Sequence, residues 1–175
     1  MSTTKWNIDP THSSVGFKVK HMMFTNVKGQ FEEYTSEIET PENGLENAKL
    51  NFTAKIASVN TRNQDRDTHL ASADFFDSEK FPELKFTTSS VTGSGSNYKL
   101  NGHLELHGVT KPVTLDVEFS GLMQDPWENT KAGLSINGKI NRKDWGLTYN
   151  SALETGGVLI GEDVNLDIEL QLIKS

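Results

Sequence analysis

Val113-Thr114-Leu115-Asp116-Val117-Glu118-Phe119 places apolar and polar residues in strict alternation. Successive side chains of a β-strand point to opposite faces of a sheet, so this stretch predicts a strand with one dry face and one wet face. The same alternation recurs along most of the chain and predicts an antiparallel all-β fold. The predicted strands cover residues 13–22, 26–39, 48–58, 84–91, 97–107, 112–123, 130–141 and 158–173.

The length of these strands favours an elongated eight-stranded barrel over a two-sheet sandwich. At about 3.3 Å per residue the strands run roughly 33–46 Å, well beyond the usual ~17–20 Å. Small residues lie on the apolar face, and we expect them to leave the interior hollow. These residues are Ser58, Thr88, Gly102, Ala132 and Gly138. The alternative is an ordinary filled core with bends at its glycines.

Two segments depart from simple alternation. The apolar parity changes between Phe31 and Tyr34, which predicts a β-bulge near Glu32 and Glu33. Residues 60–71 show no alternation and carry early acidic residues, so they predict one short helix at about 62–71 with Asn60 or Thr61 as its cap. Phenylalanines follow this helix closely, and we expect helix and aromatics to cover one end of the barrel.

Length and composition narrow the class of protein. The 175 residues are expected to form a single domain, residues 1–175, and the net charge of −7 argues against binding nucleic acid or an anionic bilayer. The absence of cysteine excludes thiolate chemistry and Cys-based metal sites. No stretch approaches the ~20 apolar residues of a membrane helix, so we expect no stable membrane insertion. As written the chain predicts a cytoplasmic protein, or a periplasmic one if a leader was removed.

The histidines have two candidate roles, as metal ligands and as polar groups at the end of the barrel. His103, Glu105 and His107 share the wet face of one strand and predict a surface stripe, so neither a metal nor any other cofactor is expected. His21 continues the inward-facing side chains of its strand and lies at the strand end. There we expect its imidazole to contact either a ligand head group or a backbone group. Asp65 and His69 can touch across one helical turn. Arg66 and His69 either belong to a structural network or polarise a ligand's carbonyl or hydroxyl.

The predicted ligand-binding residues comprise the inward apolar side chains and the polar or aromatic groups at the helix end. The first set is Phe17, Val19, Phe31, Phe52, Ile56, Leu104, Leu115, Val117, Leu134 and Ile136, and the second is His21, Arg66, His69, Leu70, Phe75 and Phe76.

Several motifs resemble one known family over almost the whole chain. They are Trp6-x-Ile8-Asp9-Pro10-x-His12-Ser13-x-Val15-x-Phe17-x-Val19-x-His21, Gly29-x-Phe31, Arg66-Asp67-x-His69-Leu70-x-Ser72-x-Asp74-Phe75-Phe76-Asp77 leading to Phe81-Pro82 and Phe86, Leu104-x-Leu106-His107-Gly108-Val109-Thr110-Lys111-Pro112-Val113, and Arg142-x-Asp144-Trp145-Gly146-Leu147. The chain resembles the YceI-like lipid- or polyisoprenoid-binding proteins. That resemblance implies a lipocalin-like barrel, a homodimer, and a long-chain isoprenoid or fatty lipid in the tunnel, with no catalytic residue.

The sequence is compatible with three functions. The first is a carrier that sequesters a hydrophobic chain without catalysis. The second is an enzyme that uses His21, Arg66 and His69 as acid–base groups on a bound amphiphile. The third is a ligand-free interaction or stress-response module, for which a tunnel filled by side chains is expected.

Overall fold

Strands dominate the secondary structure. The computed structural model describes residues 3–42, 44–150 and 159–175. The strands are β1 (Thr3–Ile8), β2 (Ser14–His21), β3 (Thr25–Phe31), β4 (Tyr34–Pro41), β5 (Lys49–Lys55), β6 (Val59–Asn60), β7 (Glu83–Ser94), β8 (Asn97–Leu106), β9 (Val109–Gln124), β10 (Thr130–Asn141) and β11 (Ile160–Lys174). The α-helix α1 spans Gln64–Ala71, and short 3₁₀ helices occupy Pro10–His12, Ile56–Ser58 and Arg142–Trp145.

The strands form a single antiparallel sheet that closes on itself. From β4 the sheet runs through β5, β7, β8, β9, β10 and β11, and β1 then pairs with both β11 and β4. Closure leaves no exposed edge along this ring, which is the usual solution to the aggregation hazard of an open sheet. The predicted all-β barrel is therefore confirmed.

Three strands of the barrel are each built from two segments. β1 and β2 both pair with β11 and together form one barrel strand. β3 and β4 form the next strand, since β3 pairs with β2 and β4 pairs with β1. β5 and β6 form the strand after that, since β5 pairs with β4 and β6 pairs with β3. Counted this way the barrel has eight strands, as predicted. The predicted first strand, 13–22, covered only β2, and the segment Thr3–Ile8 was missed.

The predicted bulge lies between β3 and β4. Glu32 and Glu33 belong to neither strand, yet their backbone is hydrogen-bonded to the end of β5 and to the segment that joins β5 to β6. Glu32 N donates to Ser58 O at 3.2 Å, and Lys55 N donates to Glu33 O at 2.9 Å. This break changes the parity of the alternation, so Phe31 and Ile38 both face the interior.

The helix forms where it was expected, but with a different cap. Asn63 Oδ1 accepts a hydrogen bond from Arg66 N at 3.0 Å, so Asn63 is the N-cap and the prediction of Asn60 or Thr61 was wrong. Asp65 and Asp67 then lie in the first turn, where negative charge stabilises a helix. Within the described ranges, no helix is long and apolar enough to cross a membrane.

Two glycines of the inner face are covered by large neighbouring side chains and leave no gap. A Cβ at Gly138 would lie 2.3 Å from Leu115 Cδ2, and one at Gly102 would lie 2.5 Å from Phe86 Cζ. The expectation that glycines open the interior was therefore wrong at these two positions, because their space is already occupied.

Two tryptophans are buried with their polar atoms satisfied. Trp6 Nε1 donates to Thr40 Oγ1 at 2.8 Å, and Trp145 Nε1 donates to Leu104 O at 2.9 Å. Only 6% of Trp6 and 2% of Trp145 are exposed. A buried indole with a bonded N–H brings a large apolar area into the core without leaving a polar group unpaired.

Asp9 holds the turn that joins β1 to β2. Its carboxylate accepts from Thr11 N at 3.0 Å and lies 2.8 Å from His12 Nδ1. The hydrogen bonds from His12 and Thr11 lower the pKa of Asp9 to about 2. Asp9 N also donates to Gln171 O at 2.8 Å, so the turn stays attached to β11.

We expect Asp9→Asn to lower the free energy of unfolding by about 1 kcal/mol near neutral pH, a typical capping contribution. The pKa of Asp9 in the folded protein lies below the ordinary value of about 3.9, so its stabilisation is present above that value and disappears as the pH falls toward 2. Chemical denaturation of both proteins across this pH range measures the difference. Asp163→Asn, which removes an exposed carboxylate 3.8 Å from Lys139, is the control and is expected to change little.

We expect Gly138→Ala to destabilise the barrel by about 1–3 kcal/mol, because the added methyl group and Leu115 compete for one space. Leu115→Val removes the Cδ atoms that cause the conflict, so Gly138→Ala should cost less in that background. A double-mutant cycle by chemical denaturation measures this coupling. Strictly additive changes in the free energy of unfolding would contradict the contact of Leu115 with Gly138.

Candidate functional site

One half of the barrel encloses a cavity of about 350 Å³. The cavity lies at the end where β2 ends, β11 begins and α1 crosses the opening. Its volume falls at the lower end of the range for small-molecule pockets. The apolar wall residues are Val15, Phe17, Val19, Val27, Phe31, Leu50, Phe52, Leu70, Phe75, Phe76, Leu84, Phe86, Leu104, Leu106, Val113, Ile136, Ile140, Leu147, Leu159, Ile160, Val164, Leu166, Ile168 and Leu170.

Aromatic rings connect the barrel wall to the segment after α1. Phe17 and Phe31 lie on paired strands with ring centroids 5.7 Å apart, and Phe31 meets Phe76 edge-on at 6.1 Å. Edge-to-face and tilted pairs of this kind stabilise aromatic clusters beyond their buried area. The cluster fixes the chain after α1 against the inner wall, so the cavity is bounded on that side by side chains from both elements.

The other half of the barrel is filled. Leu50 and Ile136 line both the large cavity and a second one of about 30 Å³, which lies farther along the axis. Buried side chains such as Leu100 and Leu172 occupy that half. The predicted tunnel is thus a chamber closed at one end, with its floor at the level of Leu50 and Ile136.

Most of the predicted site residues meet around this chamber. Those that line it are Phe17, Val19, His21, Phe31, Phe52, Arg66, His69, Leu70, Phe75, Phe76, Leu104 and Ile136.

Four predicted residues lie elsewhere. Val117 and Leu134 line the small cavity of the filled half, and Ile56 and Leu115 are buried in the core away from both cavities. Alternation tells which face of a strand a residue occupies but not its height along the barrel, so it could not separate these four residues from those of the chamber.

Helix α1 is attached to the barrel mainly by polar contacts. Arg66 Nε donates to Thr61 Oγ1 at 2.8 Å, and Arg66 Nη2 donates to Thr61 O at 2.6 Å. Thr61 in turn donates from N and Oγ1 to Asp67 Oδ1, at 2.8 and 2.6 Å. Only 4% of Thr61 is exposed, so this residue is the buried centre of the network. The structural-network interpretation of Arg66 agrees with these bonds.

His69 lies at the mouth of the chamber, within a group of aromatic rings. Its Nε2 is 2.9 Å from Asp74 Oδ2, and its ring centroid is 5.0 Å from those of Phe75 and Tyr149. The predicted contact with Asp65 was wrong, since the carboxylate partner comes from the segment after the helix. In the described ranges, the hydrogen-bond partner of the His69 ring is the Asp74 carboxylate and not a hydroxyl group.

Arg142 is a wall residue that the sequence reasoning missed. Only 4% of it is exposed, and it donates to Gly161 O at 2.8 Å, Leu147 O at 2.7 Å and Ile160 O at 3.4 Å. Burial lowers the pKa of its guanidinium, and the charge of Glu162 acts in the opposite direction. Its sequence position could have indicated this role, because Arg142 directly follows an alternating strand and therefore lies at the same end of the barrel as His21.

The rim of the mouth beside His21 carries exposed apolar side chains. Met22, Met23 and Phe24 form the turn between β2 and β3, and 85% of Phe24 is exposed. Met22 N donates to Leu159 O at 2.8 Å, which ties the turn to a residue of the chamber wall. The outer rim is therefore apolar at this point.

The histidine stripe on β8 has no metal-site geometry. His103 and Glu105 are exposed as predicted, but His107 is half-buried, with Nδ1 3.1 Å from Trp145 O and its ring 5.0 Å from Phe81. Within the ranges that the structure describes, no three His, Asp or Glu side chains are grouped to hold a metal ion.

Fold and chamber together define a closed antiparallel β-barrel with an apolar internal cavity, the architectural class that includes the lipocalins. The family model of the YceI-like domain matches residues 6–172. The chain belongs to the YceI-like family.

Known relatives agree with this assignment. A UPF0312 protein of Staphylococcus aureus (strain MSSA476) is 39% identical over 165 residues, which are 94% of each chain. The crystal structure of the Campylobacter jejuni YceI protein has a TM-score of 0.78 at 38% identity and covers 89% of this chain and 90% of that one. A polyisoprenoid binding domain from Saccharophagus degradans shares the fold, with a TM-score of 0.65 at 16% identity over 97% of this chain and 98% of its own.

We expect Thr61→Val to lower the free energy of unfolding by about 1–3 kcal/mol, because Arg66 and Asp67 lose a buried partner. Amide hydrogen exchange of residues 64–71 should accelerate more than exchange in β8 or β9. Thr68→Val, on the exposed face of the same helix, is the control and should stay within about 0.5 kcal/mol of the original protein. Equal effects of the two substitutions would contradict the central place of Thr61.

Proposed function

We propose that this protein binds the chain of a hydrophobic amphiphile, of isoprenoid or related long-chain type, and performs no chemical step on it. The observation that carries the proposal is the chamber of about 350 Å³ with an almost continuous apolar wall. A cavity of this size is a favourable site for apolar groups because they leave water when they enter it.

The volume limits how much of a ligand the chamber holds. A methylene group is close in size to a water molecule, which takes about 30 Å³ of the liquid, so the chamber accommodates about a dozen such groups. At about 0.8 kcal/mol for each buried CH₂, the gross gain is roughly 10 kcal/mol. Association costs of about 4–15 kcal/mol offset much of this gain. A membrane is an equally apolar competitor, so reversible exchange is expected rather than permanent capture.

The comparisons support a lipid ligand. One structural neighbour is a domain described as polyisoprenoid-binding, and its likeness extends over nearly the whole chain. That neighbour shares the fold at 16% identity, so its support for the ligand class comes through the barrel architecture alone.

The contacts at the mouth favour binding over catalysis. Arg66 is bonded to Thr61, and His69 is bonded to Asp74, so both have structural partners. The ligand-free alternative calls for an interior filled by side chains, whereas one half of this barrel is hollow.

Phe17→Asp and Phe52→Asp should each abolish binding, because a charge in the wall cannot be desolvated by an apolar ligand without a large cost. The measurement is organic extraction and mass spectrometry of the purified proteins, with circular dichroism to verify folding. Phe24→Asp makes the same change at the exposed rim and should retain the lipid. Leu166→Trp, which adds bulk without charge, should also lose it.

A folded protein that reproducibly carries no extractable lipid, and that does not take up a long-chain amphiphile from vesicles, would overturn the proposal. Retention of lipid by the Asp variants would instead place the ligand outside the chamber.

A further inference from the structure

The side chains that the structure describes around the chamber and that can carry a charge near neutral pH are all basic. Among the described residues that line it are Lys20, His21, Arg66, His69 and Arg142, and none is Asp or Glu. The chain as a whole has a net charge of −7, so this distribution is opposite to the average of the sequence. The polar end of the chamber is therefore basic.

Arg142 is the most deeply buried of these cations. Its three partners are backbone carbonyls, which satisfy N–H groups but do not neutralise a charge. No carboxylate of the described residues forms an ion pair with it. Glu162, the acid that influences its pKa, is bound instead by Lys143 at 2.7 Å. Buried charges without an opposite partner are costly, so a ligand that brings the missing charge gains from it.

His21 and Arg142 both contact the first residues of β11 and therefore lie near each other. Arg142 bonds the carbonyls of Ile160 and Gly161, and Ile160 is the strand partner of His21. In the part of the chain that the structure describes, no side-chain hydrogen bond engages the His21 imidazole, and His21 lines the chamber. Two basic groups, His21 at the end of β2 and Arg142 at the start of the 3₁₀ helix Arg142–Trp145, thus converge on one side of the mouth.

We propose that the head group of the bound amphiphile is an anion, a carboxylate or a phosphate, held by Arg142 and His21 at the mouth of the chamber. This inference rests on the proposed function, since the chain of the ligand fills the apolar part. Guanidinium groups are suited to such anions because they offer several N–H donors in one plane.

Matched ligands separate head-group recognition from chain binding. Tetradecanoate is compared with tetradecanol, and farnesyl phosphate with farnesol, by isothermal titration calorimetry below the concentrations at which the ligands aggregate. We expect the anion of at least one pair to bind about tenfold tighter or more than its alcohol. The pair that shows the preference identifies carboxylate or phosphate as the source of the charge.

Variants test the assigned residues. Arg142→Met should remove the preference for the anion, measured as the ratio of the anion and alcohol affinities of the same variant, and Arg142→Lys should keep part of it. Because Arg142 also bonds three carbonyls, His21→Gln serves as the second variant and should weaken anion binding several-fold. Lys28→Met removes the same charge from an exposed position of β3 outside the chamber wall and should change nothing.

The two proposals fail in different ways. Equal affinity for anion and alcohol in both pairs overturns the head-group assignment and leaves chain binding intact. An unchanged anion preference in folded Arg142→Met and His21→Gln also overturns it. If none of the four ligands binds, the proposed function fails and the head-group assignment fails with it.

Discussion

Strand β11 joins the two ends of the sheet, and the interior exists because of that closure. On one side β11 pairs with β10 over most of its length, and on the other it pairs with β2 and then with β1. A closed ring of eight strands has a fixed and narrow interior, which side chains can fill or one small ligand can occupy. The size and direction of the inward side chains decide between these outcomes at each level of the barrel.

Glycines take part in that decision in a way that alternation alone does not reveal. Gly29 is the strand partner of Phe17, and a Cβ at Gly29 would lie 2.5 Å from Phe17 Cζ. The ring of Phe86 covers Gly102 in the same manner. A ring that lies over a glycine follows the wall instead of crossing the interior, so both rings line an open chamber. Glycines thus contribute to the hollow by redirecting large side chains, and not by leaving gaps of their own.

This difference explains how much could be predicted from the sequence. The all-β barrel with one helix depends on local patterns, and this prediction was confirmed. The strand Thr3–Ile8 was missed, and the chain leaves the strand pattern at Glu32 and Glu33, where a bulge was predicted. The height of a residue along the barrel depends on register between distant strands, which is why the sequence did not separate Val117 and Leu134, which line the small cavity, from the chamber residues. The contacts of Arg142 with the start of β11 and of His69 with Tyr149 also join distant positions, so no local pattern could indicate them.

The attachment of α1 has a consequence for access to the chamber. No residue of this helix is fully buried, and Leu70 is its one large apolar side chain packed against the core. Its docking depends on the Thr61 network and on the aromatic group around His69. Segments with little buried apolar area open at lower free energy than the strands of a closed sheet. We therefore expect α1 to open more readily than the strands, which would admit a ligand without breaking the pairing of β11 that keeps the barrel closed.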